Sequence, residues 1–593
     1  MPDLFGGMHP ASYLIIGGLL CGILKGRVRD VSFILFPILG FINLLGMEHG
    51  TSELSILGYD LVVSRVDKLS LVFGYLFHIA ALITSIYSLH TQRWWVRMSG
   101  VLYAASAVGA VFAGDLITLF VFWELLAVTS VFQIWARGTK RAIDSGIRYL
   151  IMHISSGLLL LAGAAAQYHA TGSLLFEFIG LSGAAGWLIF IGFGVKCAFP
   201  FFHTWLVDSY PESTPAGSVY LCAFTTKVAV YAMARGYPGT ELLIWIGAAM
   251  AMFPIFYAVI ENDLRRVLGY SMINQIGFMM VGIGIGTAWG INGAVAHAFN
   301  DVLFKGLLFM TMGAVLYRTG RINGSDLGGL YKSMPWTAGF CMVGAASISA
   351  FPLFSGFVSK SMIMSAAGYE GYTLVWCMLL FAAAGVFHHA GIKIPFFAFY
   401  AHDSGIRTEK APLHMRIAMG IAAALCIGIG CFPGVLYDLL PITPEKQYHP
   451  YTITHVITQT QLLFFSALAF VTLMLFKIYP PELRSTNLDV DWFYRKGLGL
   501  FCVACDRVFN PLNAFAKNLF VGRFVGRIDS LIEQGPARLA VILLYPIWKM
   551  FGLRGEELED RRNHFYEQMR LGAFPIGLTA FLAVILFGWL FFF

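Results

Sequence analysis

Among the ionisable side chains of this 593-residue chain, nine stand out inside apolar stretches, where water cannot solvate them. Glu124 sits in Leu119-Phe120-Val121-Phe122-Trp123-Glu124-Leu125-Leu126, Lys196 lies four residues before Pro200, and Lys227 lies in Phe224-Thr225-Thr226-Lys227-Val228-Ala229. His297, Asp301 and Lys305 are spaced i, i+4, i+8 and stack on one face of a helix. Lys360 follows Ser355-Gly356-Phe357-Val358-Ser359, and His389 and Lys393 are again i, i+4, beside His388. A carboxylate in such surroundings is either paired or protonated, because a lone buried ion is too poorly solvated. A lysine from another span is the natural partner for Glu124. Lysine at the centre of a membrane helix costs about 2.5–3.5 kcal/mol, so each one is expected to serve something. A lysine balanced between desolvation and a nearby carboxylate changes charge when its partner moves, which is what a proton relay needs. Histidine, titrating near neutrality, suits proton hopping. The competing reading is a set of structural ion pairs that only lock helices together. Metal or haem ligation by His388 and His389 is disfavoured, since adjacent residues face different sides of a helix. Spread over many segments, these groups suggest a chain of charges through the membrane interior and not one substrate pocket.

The elements that position them carry a repeat. Ala198-Phe199-Pro200-Phe201-Phe202 and Ala350-Phe351-Pro352-Leu353-Phe354 each place a proline within a long apolar segment, with Lys196 and Lys360 close by. Proline breaks the i to i−4 ladder and frees carbonyls at membrane depth. Broken helices at corresponding positions of two halves mark transporters built from internal repeats.

The composition is 58% hydrophobic and 12% charged, with a mean hydropathy of +0.71, which excludes an ordinary soluble protein. Apolar stretches near 20 residues fall at about 11–26, 28–47, 68–90, 97–114, 115–136, 143–168, 184–207, 215–235, 241–261, 270–288, 291–317, 335–365, 374–400, 414–440, 458–478 and 572–593. The first is read as a retained helix, since no small-residue cleavage site follows it. Basic residues cluster on alternate connections: Lys25, Arg27 and Arg29; Arg93 and Arg97; Arg137, Lys140 and Arg141; Arg265 and Arg266; Arg318, Arg321 and Lys332; Arg407 and Lys410. The positive-inside rule puts these in the cytoplasm and the N-terminus outside. The net charge of +7 is this loop excess and calls for no nucleic acid. The two Phe-Pro segments then cross in opposite directions, as an inverted repeat requires. The expected divisions are N-terminal helices over 1–96, a first inverted repeat over 97–235, a second over 236–400, C-terminal helices over 401–480, an amphipathic segment over 481–571 and a final span over 572–593. The amphipathic segment mixes Arg495, Lys496, Arg507, Lys517, Arg523, Arg527, Arg538 and Lys549 with Leu, Phe, Val and Ile. A soluble linker domain is its alternative. Cys502 and Cys505 read as one helix face and not a metal knuckle, since no second pair or nearby histidine accompanies them.

The motifs that hold these residues are Phe122-Trp123-Glu124-Leu125; Lys196 with Phe199-Pro200; Pro215-Ala216-Gly217-Ser218 leading to Lys227; and Glu261-Asn262-Asp263-Leu264-Arg265-Arg266. They continue with His297 through Lys305, Asp326-Leu327-Gly328-Gly329-Leu330, and Phe354-Ser355-Gly356-Phe357 through Lys360. Over roughly 60–440 the chain resembles the antiporter-like proton-translocating family shared by respiratory complex I, Mrp-type cation/proton antiporters and membrane-bound hydrogenases. The D-type component of Mrp antiporters is the member it suggests. The resemblance implies an all-α polytopic fold of about 14–16 membrane helices, with two inverted five-helix repeats, discontinuous helices and a C-terminal lateral amphipathic helix. It implies that Glu124 and Lys196 pair in a first half-channel, that Lys227 passes protons inward, that Lys305 is the central lysine, and that Lys360 is the exit-side lysine. Asp489-Val490-Asp491-Trp492-Phe493-Tyr494-Arg495-Lys496 resembles the opening of the lateral helix in some members. Two positions depart from the pattern: Asp301 stands where many relatives carry histidine, and His388-His389-Ala390-Gly391-Ile392-Lys393 is not a general family motif.

The expected function is proton or cation/proton translocation within a multisubunit complex of a bacterial inner membrane, of the Mrp Na⁺/H⁺ antiporter type. The alternatives are a proton-pumping subunit of a complex I-like or hydrogenase-type redox complex, a secondary solute transporter, and a non-conducting scaffold. Expected partners are other membrane subunits and the lipid bilayer; protons are the expected cargo, with passage of Na⁺ left open. No nucleotide fingerprint, Fe–S cysteine set or convincing haem ligand pair is present, so no cofactor, metal or redox centre is expected in this chain, and redox chemistry would belong to partners.

Overall fold

Side-chain caps fix where several of the apolar helices begin. Asp115 accepts from the amides of Ile117 (2.8 Å) and Thr118 (2.7 Å) and opens α5 (Leu116–Trp135). Asp263 accepts from Arg265 (2.8 Å) and Arg266 (3.1 Å) and opens α12 (Leu264–Ile285). Thr139 and Thr287 cap α6 (Lys140–Thr171) and α13 (Ala288–Thr319), and left-handed Gly172 and Gly320 end them. Each cap answers backbone groups that a helix end leaves unpaired. In addition, Asp115 bridges antiparallel to Leu175, as Asp263 does to Asn323. One constant offset in residue number relates all these features, so α5–α6 and α12–α13 are built alike.

The computed structural model describes residues 8–56, 58–483, 487–570 and 583–587. α1 (Ser12–Ile23) and α2 (Gly26–Leu45) precede an antiparallel hairpin of β1 (Gly50–Ile56) and β2 (Tyr59–Val66), with register from Gly50↔Val66 to Ile56↔Tyr59. This hairpin is the exception, among the described residues, to the all-helical expectation. Its alternating pattern is short and lies in a connection between spans. It leads into α3 (Lys68–Tyr87), capped by Asp67, which also pairs with Arg235 at 2.8 Å. Burial opposes ionisation of Asp67, but Arg235 and the Ser70 bonds hold its carboxyl below the usual range.

The remaining helices are α4 (Trp94–Phe112), α7 (Gly183–Lys196), α8 (Thr204–Ser209), α9 (Pro215–Ala223), α10 (Thr225–Gly236), α11 (Glu241–Ile260), α14 (Pro335–Ile348), α15 (Ser355–Tyr369) and α16 (Thr373–Val386). α16 continues into π-helical turns at Phe387–Lys393 and Phe396–Tyr400. α17 (Leu413–Cys431), α18 (Gly434–Tyr437) and α19 (Ile453–Leu475) follow. Twelve described helices are long and apolar enough to cross a membrane, and α1 and α7 are shorter apolar helices. This is a multi-pass membrane protein. α10, α12 and α13 are buried almost end to end and form its core.

Helices α7 and α14 stop at the two Phe-Pro pentapeptides in the same way. Ala198 and Phe201 have φ of 58° and 72°, while Ala350 and Leu353 have 59° and 72°. The amide of Phe199 donates to Gly194 O and that of Ala198 to Val195 O; Phe351 donates to Ala346 O and Ala350 to Ser347 O. These are Schellman-type endings with alanine where glycine is usual. A left-handed non-glycine residue costs roughly 1–2 kcal/mol, so each break is held by its surroundings.

A second unit begins at Val490. It consists of α20 (Asp491–Ala516), a π-helical stretch Lys517–Val525, α21 (Gly526–Met550) and α22 (Glu556–Arg570). Trp548 and Phe565 pack edge to face at 5.6 Å between α21 and α22. Most large apolar side chains here are exposed, Leu500, Phe520 and Leu531 among them. Of the span expected over 572–593, only 583–587 is described, as helix; the rest lies outside the described residues.

Candidate functional site

The break after α7 leaves Lys196 at the helix end with its side chain fully buried. Its ammonium donates to Trp123 O at 2.5 Å and lies 4.3 Å from the Trp123 ring centroid. Trp123 is fixed in turn by Nε1 donating to Ser156 Oγ at 3.0 Å, and Ser156 donates to Gly192 O at 2.7 Å. Glu124 is half-buried, and its Oε1 is enclosed without a hydrogen-bond partner. The carboxylate fits because residue 157 is glycine: a Cβ there would overlap it. The expected Glu124–Lys196 pair is therefore not closed as a direct contact. Lys196 is spent on the backbone and ring of the residue that precedes Glu124.

The direct ion pair lies deeper. Lys227 Nζ and Asp301 Oδ2 are 2.5 Å apart, both side chains fully buried. The helix interruption at Phe224, between α9 and α10, frees Cys222 O, which accepts from Lys227 at 3.3 Å. Asp301 is one turn from Lys305 on α13, and Lys305 donates to Ser271 Oγ of α12 at 2.8 Å. One turn the other way, His297 contacts Ser359 Oγ and Gln275 Oε1, each at 3.0 Å. The i, i+4, i+8 stripe thus points wholly into protein.

Lys360 donates to Ile348 O (3.0 Å), a carbonyl at the end of α14 beside the second break. The same lysine lines a cavity of about 540 Å³ that also takes in Ser361, Tyr448 and His455. Lys393 lies at the end of the π-helical turn. It donates to Val259 O (2.7 Å), Glu261 O (2.6 Å) and Ala258 O (3.3 Å), the carbonyls that end α11, and pairs with Glu482 at 2.9 Å. His389 is buried with neither ring nitrogen hydrogen-bonded. Its π-helical setting departs from the plain i, i+4 geometry expected of it and Lys393. π-turns of this kind recur at functional sites.

Several partners escaped the sequence reading. His153 on α6 is fully buried with both nitrogens unpartnered, between Tyr149 (4.0 Å) and Trp205 (4.4 Å). Ser271, Asn274 and Gln275 form a polar run on α12, with Gln275 donating to Asn274 at 2.7 Å. The signal for each was a polar side chain inside an apolar helix. Glu482 carried no such signal, because it lies beyond the last helix of its unit.

Of these buried groups, those from Glu124 to Lys360 stand in a stretch with known counterparts. Residues 113–388 match the family model described as NADH:quinone oxidoreductase/Mrp antiporter, transmembrane. The match is confined to that segment, a little under half of the chain. Hydrogenase-4 component B of Escherichia coli is 26% identical over 411 residues, 61% of either chain. The D-type component of the Na⁺/H⁺ antiporter of Alkalihalophilus pseudofirmus is 29% identical over 56% of this chain and 72% of its own. Among solved structures, a chain of the membrane-bound sulfane sulfur reductase, an archaeal respiratory membrane complex, superposes with a TM-score of 0.68 at 22% identity. It covers 91% of this chain and 99% of its own. The present chain thus spans less than two thirds of hydrogenase-4 component B and most of the other two, and the structural likeness speaks for the fold.

Proposed function

We propose that this chain is a proton-translocating subunit of a multisubunit complex in a bacterial inner membrane, working as cation/proton antiport like the D-type antiporter component it resembles. The observation that carries this reading is the buried Lys227–Asp301 pair one turn from Lys305. A carboxylate placed between two ammonium groups lets a proton on one weaken its hold on the other. Protons enter the half around Glu124 and Lys196, cross at Lys227, Asp301 and Lys305, and leave past His297 and Lys360; His389 and Lys393 form a side branch from Lys305. The two halves, 97–235 and 236–400, are inverted repeats. The matched caps and the matched pentapeptide endings support this, since five crossings separate corresponding elements. The N-terminus is periplasmic on the charge bias of the connections.

A second reading is a proton-pumping subunit of a redox complex, favoured by a fold likeness that reaches 91% of the chain. Purification of the native complex decides between them: Fe–S or nucleotide-binding subunits mean a redox drive. Proton flux in proteoliposomes under an imposed Na⁺ gradient tests the first reading. Flux in the wild type that is lost in Lys305→Met supports it, and equal flux in both refutes it.

A further inference from the structure

Two buried bases in different halves of the chain receive their carboxylates from one short segment beyond α19. Glu482 reaches Lys393 at 2.9 Å, with the two side chains 7% and 0% exposed. Asp489 reaches His203 Nε2 with both oxygens, at 3.1 and 3.2 Å, and accepts from Tyr270 OH at 2.9 Å. His203 directly follows the first pentapeptide break, and Lys393 closes the π-helical turn of α16. The segment is held at further points. Asn487 donates to Glu261 Oε2 at 3.0 Å, and the Tyr479 ring stacks on His388 at 5.5 Å. The direct ion pair of Lys393 is with Glu482; the Glu261 carboxylate is a further negative charge nearby, and it accepts from the amides of Asn262 and Asp263 and from Asn487.

We propose that Glu482 and Asp489 are positioning residues, counter-ions brought by the post-α19 segment, which hold the Lys393 turn and the His203 loop in the geometry that translocation needs. The inference rests on the translocation reading above. The physical reason is that the buried Lys393 without its carboxylate must find water or lose its charge, and the buried His203 ring without Asp489 loses its hydrogen-bond partner; either outcome reshapes the backbone that carries the base. Lys393 holds the Ala258 and Val259 carbonyls of α11 and the Glu261 carbonyl that follows it, so its displacement also unseals that helix end. A single segment acting at both places ties the two halves together.

The test uses the full-length chain in its native complex, with proton flux read by a pH-sensitive dye in proteoliposomes under a Na⁺ gradient. Glu482→Gln and Asp489→Asn keep shape and remove charge. Each is expected to lower flux at least tenfold with partner subunits still co-purifying, and Glu482→Asp and Asp489→Glu are expected to restore part of it. Wild-type flux in both neutral variants overturns the proposal, as does equal loss in the charge-retaining variants. If Glu482→Gln fails to accumulate, Lys393→Gln is added to it. Recovered accumulation shows that the carboxylate served the ammonium, and no recovery shows that it did not. Lys305→Met is the control: its wild-type flux refutes the translocation reading, whereas its loss beside active neutral variants refutes the counter-ion role alone.

Discussion

Asp301 lies between two ammonium groups, 2.5 Å from Lys227 and one helical turn from Lys305 on the same buried face of α13. Neither side chain of the close pair touches solvent. Breaking a buried pair by removing one partner costs about 3–5 kcal/mol, because the other charge is left uncompensated. Asp301→Asn is therefore expected to lower the thermal stability of the purified complex markedly and to stop transport. Adding Lys227→Met should recover most of the stability and none of the transport. Recovered transport in the double variant would show the pair to be a structural lock.

Glu124 makes the opposite case. Its buried Oε1 has no partner, and Lys196 is held by Trp123. Glu124→Gln breaks no closed pair, so the stability change is expected to stay within about 1 kcal/mol. Transport should fall at least tenfold, and Glu124→Asp should keep part of it. Melting curves and vesicle ion exchange on the same preparation check both halves of the statement; wild-type exchange in the Gln variant would remove Glu124 from the path.

Gly157 tests the same site without touching a charge. In an exposed helix interior, alanine is about 1 kcal/mol better than glycine. Here its Cβ would meet the Glu124 carboxylate. Gly157→Ala should leave the fold intact and lower transport by displacing Glu124. Unchanged transport would mean that the position of this carboxylate does not matter.

Much of this was legible in the sequence. The i, i+4, i+8 stripe of α13 needed only helical periodicity, and the two breaks needed only proline in an apolar run. What periodicity cannot give is which helices touch. Glu124 was matched with a lysine by charge, and with Lys196 by resemblance, whereas the pair in direct contact is Lys227–Asp301, set by the packing of α10 on α13. His153 passed as an ordinary residue of an apolar helix, because its lack of partners is visible only in three dimensions. The π-turn at Phe387–Lys393 breaks the 3.6 period that placed His389 and Lys393. The hairpin at 50–66 was masked by the strong helical signal on either side.

Two truncations separate the roles of the C-terminal part. A chain ending at Asp489 keeps the first unit and both acidic contacts. It should insert and melt near the wild-type temperature while losing co-purification of partner subunits. A chain ending at Lys477 also loses Glu482 and Asp489 and should be less stable by about 3–5 kcal/mol for the opened Lys393–Glu482 pair, with the lost Asp489 hydrogen bonds to His203 and Tyr270 adding to it. Full partner recovery by the first truncation would show that residues beyond 489 do not hold the assembly together.

The central claim is that a proton passes through Lys305, and Lys305→Arg tests it most directly. Guanidinium keeps the positive charge beside Ser271 and Asp301 but does not release its proton. Proton flux of the Arg variant, measured in proteoliposomes containing the assembled complex, is predicted to be at the background of the Lys305→Met variant. Flux at or near the wild-type rate would show that a fixed positive charge suffices at this position, and would contradict the account.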